Sequence, residues 1–302
     1  MPRPDASTLD RLLVSWQRSL RARNLSDSTL SVYLTAARDL ESWLLTETDV
    51  RSWDQVTRAH LETWIGHLLD TASASTASNR YRAVQQLFKW LLEDEEIETN
   101  PMARMTPPKL EEKLVPILSD EQIKALLKTC AGNDFVNRRD LAILRLFLAT
   151  GVRLAEITGL NAEDIDHDER TAVVVGKGRR ARVVRFDAET ARVLDRYERI
   201  RARDKHAARP ELWLGEKSRG PLSSNGIYQM VTRRGDQIGV ELHPHMFRHT
   251  FAHRFQARGG AEGDLMELAG WRSQQMVRRY GATARGERAR TSYDRVDVMG
   301  DL

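Results

Sequence analysis

The 302-residue sequence has one cysteine, eight lysines and no long hydrophobic run. A single cysteine, Cys130, excludes an intramolecular disulfide and argues against a cysteine-based zinc site. No segment approaches the roughly 18 apolar residues that a membrane span requires, and the first 20 residues lack the apolar stretch of an export signal. We therefore expect a protein of the cytoplasm that does not span a membrane.

The charged residues are unevenly distributed. Residues 1–105 contain 12 Lys and Arg against 15 Asp and Glu, whereas residues 106–302 contain 35 against 28. The chain has 39 Arg against 8 Lys, and the planar guanidinium of Arg suits bidentate binding of phosphate. The surplus in the second part indicates a nucleic-acid partner, although a solvated helix face would give the same composition.

Helical patterns dominate the first 100 residues. A capping cluster at residues 26–29 precedes apolar residues at helical spacing from Leu30 to Leu44, and two further amphipathic segments follow around residues 61–69 and 81–91. With a short helix near the N-terminus, these segments predict a four- or five-helix domain over residues 1–100. Four of the nine prolines lie between residues 99 and 116, so we predict a linker over residues 101–116.

Residues 117–302 are predicted to form a second domain of mixed structure. Two β-rich runs, 171–176 and 181–186, are joined by a glycine- and arginine-rich turn, which predicts a hairpin. The segments on either side of the hairpin are mainly helical in pattern. The expected fold class is mainly α with a small β-sheet: a helical N-terminal domain and an α+β second domain.

Four short segments combine reactive residue types with turns or helix ends. They are TGVRLAEI at 150–157, GKG at 176–178, HMFRHT at 245–250, and LAGW at 268–271 followed by RYG at 279–281. Each is weak alone, but their order and spacing resemble the catalytic signature of the tyrosine recombinase (phage integrase) family. The resemblance covers essentially the whole chain. It implies a SAM-like core-binding domain, a linker, and a catalytic domain whose nucleophile lies near the C-terminus.

By this resemblance, Arg153 and Arg248 bind the scissile phosphate. An arginine just after a helix-ending glycine can direct two N–H groups at the non-bridging oxygens and stabilise the charge that grows in the transition state. Glu156, about one helical turn after Arg153, is expected to orient its guanidinium. Without the other motifs, the same two residues would be interpreted as an ion pair that braces a helix start.

The resemblance also assigns the residues that move protons. Lys177, in the hairpin turn, corresponds to the family's general acid for the leaving 5′-oxygen, although a Gly-Lys-Gly turn is also typical of a solvated hairpin tip. His245 is expected to assist proton transfer at the nucleophile, and His249 to give structural support. Three arginines near the turn are expected to contact DNA phosphates: Arg179, Arg180 and Arg182.

Tyr280 is the proposed nucleophile. Nine residues upstream, many family members have His, whereas this chain has Trp271, as Cre-type recombinases do. An indole N–H can donate a hydrogen bond to the phosphate but cannot transfer a proton at neutral pH. Tyr293 lacks the matching spacing. The histidines near residue 245 have no carboxylate or cysteine at ligand spacing, so we expect neither a metal nor another cofactor.

The resemblance implies a site-specific DNA recombinase that forms a 3′-phosphotyrosyl intermediate, with phage or mobile-element integration and excision as its role. A Xer-type dimer-resolution recombinase, a type IB topoisomerase and a non-cleaving DNA-binding regulator are the alternatives. The first helix is predicted to start near Ser7, which favours a layout without an arm-binding domain. The expected partners are double-stranded recombination sites and three further copies in a DNA-bound tetramer. The free protein would be a monomer or weak oligomer, nucleoid-associated when bound to DNA, and the resemblance allows for an accessory directionality factor.

Overall fold

The computed structural model of the protein describes residues 8–110, 116–176, 178, 180–271, 277 and 293. The chain divides into two compact units between residues 112 and 113. Within the described ranges, no helix has both the length and the apolar character of a membrane span.

The first unit is helical, which confirms the prediction for this part of the fold. Its helices are α1 (Thr8–Ala22), α2 (Asp27–Glu47), α3 (Arg58–Thr71) and α4 (Ala74–Glu93), with one 3-10 turn at Trp53–Gln55. Ser26, Thr57 and Ser73 each accept a hydrogen bond from a backbone amide in the first turn of the helix that follows. Such caps satisfy donors that have no partner inside a helix, so the helices begin where the sequence places these residues.

The aromatic residues of the first unit form its core. Trp16, Trp53 and Trp64 are fully buried together with Phe88, and the Trp53 indole donates a hydrogen bond to the Leu9 carbonyl at 3.1 Å. These side chains are therefore core residues and do not form a base-stacking surface.

In the part of the second unit that the structure describes, seven α-helices are combined with a small sheet, which confirms the predicted fold class. The helices are α5 (Asp120–Lys128), α6 (Phe135–Thr150), α7 (Leu154–Thr158), α8 (Ala188–Arg201), α9 (Ser224–Asp236), α10 (Pro244–Ala257) and α11 (Glu262–Ala269). The strands are β1 (Ile165–Asp166), β2 (Thr171–Val175) and β3 (Ala181–Arg185). They form an antiparallel sheet in the order β1-β2-β3, with Val173 opposite Val183. The sequence indicated the hairpin of β2 and β3 but not the two-residue β1.

The hairpin has one buried and one exposed face. Val184 on β3 and Phe186 directly after the strand are buried, whereas Val183 is exposed. Because successive side chains of a strand point to opposite faces, Arg182 lies on the same side as Val184 and Phe186. The sheet therefore directs this arginine toward the protein interior.

A glycine turn connects α6 to the start of α7. Gly151 caps α6 in the left-handed conformation, with φ of +60°, and a Cβ at this position would lie 2.6 Å from the Phe251 ring. Both the left-handed backbone conformation and the lack of space beside the Phe251 ring require glycine at this position. The turn places Arg153 at the N-cap position of α7.

A buried ionic cluster holds α6 against α9. The carboxylate of Asp140 is fully buried and accepts hydrogen bonds from Arg139 at 2.8 Å and Arg234 at 2.7 Å. Arg234 also donates to the Thr129 carbonyl at 2.6 Å and to Asn137 at 2.9 Å. Since each buried guanidinium has an anionic partner and further acceptors, the cluster meets the requirement for charges inside a protein.

Substitution Asp140→Ala should destabilise the second unit by about 3–5 kcal/mol, because it leaves two buried guanidinium groups without their counter-charge. Asp195→Ala is the matched control, since Asp195 forms an exposed pair with Arg199 on α8 and should cost no more than about 1 kcal/mol. Urea unfolding of both variants measures the difference. Equal losses in the two variants would contradict a structural role for the cluster.

Candidate active site

Three arginines from different elements meet the end of α11. They donate hydrogen bonds to three consecutive backbone carbonyls: Arg182 to Leu268 at 3.0 Å, Arg248 to Ala269, and Arg153 to Gly270 at 3.5 Å. The last carbonyls of a helix lack partners within the helix and form the negative end of its dipole, so cationic donors are favoured there. The end of α11 therefore gathers positive charge from β3, α10 and the start of α7.

Glu156 holds the guanidinium of Arg153. Its carboxylate accepts a hydrogen bond from the Arg153 backbone amide at 2.8 Å and another from the Arg153 side chain at 2.7 Å. Glu156 is buried, whereas the Arg153 side chain is about one-third exposed. Arg153 is thus fixed from the inside while part of its side chain still faces solvent.

Arg182, on strand β3, binds the same carboxylate. Its Nη1 and Nη2 donate to the two Glu156 oxygens at 2.7 and 2.9 Å, and its side chain is only 14% exposed. We expected Arg182 to contact DNA phosphates, but its guanidinium is directed into the protein because it lies on the buried face of β3. The alternation of Arg182 with Val184 and Phe186 was the sequence signal for this placement.

The Glu156 carboxylate remains ionised in spite of its burial. Burial by itself raises the pKa of Glu156, but the hydrogen bonds from Arg182 and the Arg153 amide, with the charge of Arg182, lower it to about 2. The end of α11 thus holds three arginines, two of which bind the single carboxylate of Glu156, and the net charge of these four side chains is positive. A positive site of this kind suits a phosphodiester that gains negative charge during its reaction.

Arg248 and Trp271 lie next to each other. Arg248 is buried on α10 and donates to the Gly151 carbonyl at 2.7 Å. Its Cζ atom lies 5.1 Å from the centre of the Trp271 ring, within the range of a cation–π contact. Arg153, Arg248 and Trp271 are therefore brought together, although 118 positions separate Arg153 from Trp271 in the sequence.

His245 lies on the first turn of α10, three residues before Arg248. Partial desolvation lowers the pKa of His245 below its ordinary value, and the nearby charges of His243, Arg248 and Arg153 act in the same direction. The imidazole is therefore mainly neutral at pH 7, the form that can accept a proton. His249, expected to give structural support, is buried on the same helix.

Other predicted residues belong to the hairpin turn and the C-terminal region. Arg180 is exposed, and its carbonyl accepts a hydrogen bond from the Gly176 amide at 2.8 Å, which closes the turn. Three of the predicted residues lie outside the described residues: Lys177, Arg179 and Tyr280. Among the described side chains, no group of three or more His, Cys, Asp or Glu residues is arranged to hold a metal ion.

The lowered pKa of Glu156 makes its contribution to stability dependent on pH. Because the pKa in the folded protein is about 2 against an ordinary 4.5, the ionised form stabilises the fold above about pH 4.5 and this contribution is lost as the pH falls toward 2. Glu156→Gln should cost on the order of 3 kcal/mol at pH 7. The cost should fall to less than about half of that value at pH 3.

Urea unfolding at the two pH values measures this dependence. Glu62→Gln, which removes an exposed carboxylate paired with Arg58, is the control and should have little effect at either pH. A cost of Glu156→Gln that is the same at pH 7 and pH 3 would contradict the stabilising role of the ionised carboxylate.

Comparison with known proteins identifies the family. Residues 116–287 match the Phage integrase family, and residues 12–98 match its N-terminal SAM-like domain. Tyrosine recombinase XerC of Pseudomonas fluorescens is 31% identical over 249 residues, which are 81% of this chain and 82% of the relative.

Two solved structures share the fold. The XerH site-specific recombinase bound to a palindromic difH substrate, in a post-cleavage complex, superposes with a TM-score of 0.75 at 19% identity, covering 90% of this chain and 81% of that one. A lambda integrase tetramer bound to a Holliday junction gives a TM-score of 0.70 at 17% identity, covering 89% and 78%. The chain belongs to the phage integrase family and is a site-specific tyrosine recombinase.

Proposed function

We propose that Tyr280 attacks the scissile phosphodiester of a DNA strand and forms a 3′-phosphotyrosyl intermediate. The phenol oxygen forms a new bond to phosphorus, its proton leaves to a base, and the bond from phosphorus to the 5′-oxygen breaks. That oxygen takes up a proton and leaves as a 5′-hydroxyl. Attack by the 5′-hydroxyl of a partner strand reverses these steps and releases Tyr280. The phosphodiester bond energy is retained in the intermediate, so no nucleotide hydrolysis is needed.

The convergence of Arg153 and Arg248 beside Trp271 carries this proposal. Both guanidinium groups are held by the end of α11, so they need little reorganisation to meet a phosphate. In the proposed reaction they donate to its non-bridging oxygens, with the indole N–H of Trp271 as a further donor. Loss of one such donor typically costs about 10²–10³-fold in rate.

Proton transfer falls to two other residues. A tyrosine phenol has an ordinary pKa near 10 and is mostly protonated at neutral pH. His245 is the proposed acceptor of its proton, since its lowered pKa keeps the imidazole neutral. Lys177 is the proposed donor to the leaving 5′-oxygen. Trp271 cannot replace either residue, because an indole does not exchange a proton in this pH range.

For the biological role, we propose integration and excision of a phage or mobile element. The tryptophan at position 271 and the arginine-rich segment after Tyr280 support it. Xer-type dimer resolution is the second candidate, and the likeness to XerC and to XerH favours it. We also propose a homotetramer on DNA, supported by the likeness to the lambda integrase tetramer, with a directionality factor as an accessory partner in the first role.

Tyr280→Phe should abolish the covalent intermediate. Duplexes that the wild-type protein retains from a random DNA library define its site. A nicked duplex carrying that site then traps the intermediate, because the short fragment released on cleavage diffuses away. Denaturing gels should show an adduct with wild-type protein and none with Tyr280→Phe.

Tyr293→Phe is the control, since Tyr293 is 64% exposed and should keep the adduct. An adduct with Tyr280→Phe that Tyr293→Phe loses would assign the nucleophile to Tyr293. Absence of an adduct even with wild-type protein on its own site would favour the non-cleaving regulator.

The sites bound in cells separate the two biological roles. Tyr280→Phe should bind DNA without cleaving it, so crosslinking and sequencing of the DNA it retains maps these sites. For a mobile-element integrase, they should flank a DNA segment that contains the protein's own coding sequence. A single chromosomal site outside any such segment would instead support dimer resolution.

A further inference from the structure

We propose that Arg182 is a positioning residue for recombination, which holds the phosphate-binding Arg153 through Glu156 and fixes the end of α11 beside Trp271. The inference rests on the proposed function of Arg153 as a phosphate ligand. It assigns to Arg182 a role in the rate of strand cleavage and not in the affinity for DNA.

The first link runs from Arg182 to Glu156. The carboxylate accepts four hydrogen bonds in the structure, two from Arg153 and two from Arg182. The Arg182 fork meets both carboxylate oxygens, a geometry that the single ammonium of a lysine cannot reproduce. Without Arg182, a buried carboxylate would keep only its bonds from Arg153 and would no longer be fixed from the β3 side.

The second link runs from Arg182 to the segment before Trp271. Its Nε donates to the Leu268 carbonyl at 3.0 Å. Gly270 lies against the same side chain, since a Cβ there would be 3.4 Å from the Arg182 Cδ and Nε atoms. Arg182 is therefore in contact with the residues immediately before Trp271, and it connects three elements: β3, the start of α7 and the end of α11.

The base of the hairpin also packs on this centre. A Cβ at Gly176 would lie 3.2 Å from the Glu156 Oε1 atom and 3.7 Å from the Arg182 Nη1 atom. The glycine lets the strand approach the carboxylate closely. Gly176 immediately precedes Lys177, the proposed general acid, in the sequence, so the ion pair of Arg182 and Glu156 lies next to the residue before it.

A positioning role and a phosphate contact predict different measurements. A side chain that neutralises a phosphate changes DNA affinity and lowers the slope of log affinity against log salt by about one. A positioning residue leaves both nearly unchanged and slows the chemical step, because small displacements of catalytic groups cost about 10²-fold in rate. The burial of Arg182, with 14% of its side chain exposed, favours the second behaviour.

The first experiment compares Arg182→Gln and Arg182→Lys with Arg185→Gln, which removes an exposed arginine from the same strand. DNA affinity is measured at several salt concentrations, and the single-turnover rate of adduct formation is measured with saturating protein on the nicked duplex of the library-derived site. Arg182→Gln should lose about 10²-fold in rate. Arg182→Lys should recover only part of this loss, and Arg185→Gln should keep the wild-type rate.

A double-mutant cycle tests whether Arg182 acts through Glu156. If it does, the double variant Glu156→Gln/Arg182→Gln should be little slower than Glu156→Gln alone, because the two residues operate as one unit. Losses that multiply in the double variant would overturn the proposed path through Glu156. Urea unfolding of each variant verifies that it is folded at the assay temperature. If Arg182→Gln is unfolded, the rate of adduct formation by Arg182→Lys is compared with the wild-type rate instead.

Two outcomes separate this inference from the proposed function. If Arg182→Gln cleaves at the wild-type rate, the positioning role is overturned and the recombinase mechanism stands. The same holds if the variant loses only DNA affinity and one unit of the slope of log affinity against log salt. Wild-type protein that forms no adduct on its own site overturns the mechanism and, with it, the role assigned to Arg182.

Discussion

The catalytic unit depends on one buried carboxylate. Glu156 remains ionised in the interior because Arg153 and Arg182 together donate four hydrogen bonds to it. A buried charge is tolerated only when it is paired and its oxygens are satisfied. This requirement brings the start of α7 and strand β3 to the same point, and it explains why a glycine stands at position 176, where a side chain would crowd the carboxylate.

The end of α11 imposes a second, related constraint. Gly270 ends the helix in the left-handed conformation, and the carbonyls at its end accept hydrogen bonds from Arg153, Arg182 and Arg248. These bonds serve structure and chemistry together. They satisfy backbone groups that a helix leaves without partners, and they hold two guanidinium groups where the phosphate is proposed to bind. Such preorganisation reduces the reorganisation that must accompany the reaction.

Local sequence rules predicted much of the architecture. Ser26 caps α2 at its expected start, because its side chain satisfies a nearby amide regardless of the rest of the fold. Ser119 and Asp187 cap α5 and α8 in the same way. The β2–β3 hairpin followed from its valine-rich runs and glycine turn. The strand β1 was missed, since two residues carry no periodic signal. Met102, at the start of the predicted linker, is buried in the core of the first unit. The proline-rich composition did not predict this burial, because composition does not report tertiary packing.

The sequence by itself determined the residue types and their order: two arginines near helix ends, a lysine in a hairpin turn, and the glycines that terminate α6 and α11. Those features depend on local backbone chemistry, and they were enough to indicate the family. Only the tertiary structure decided which arginines share a partner. The sequence grouped Arg182 with Arg179 and Arg180 as a surface contact to DNA, but the pleat of β3 turns Arg182 inward to Glu156. A long side chain in a charged segment has many solvated alternatives, and its partner is selected by contacts between elements distant in sequence.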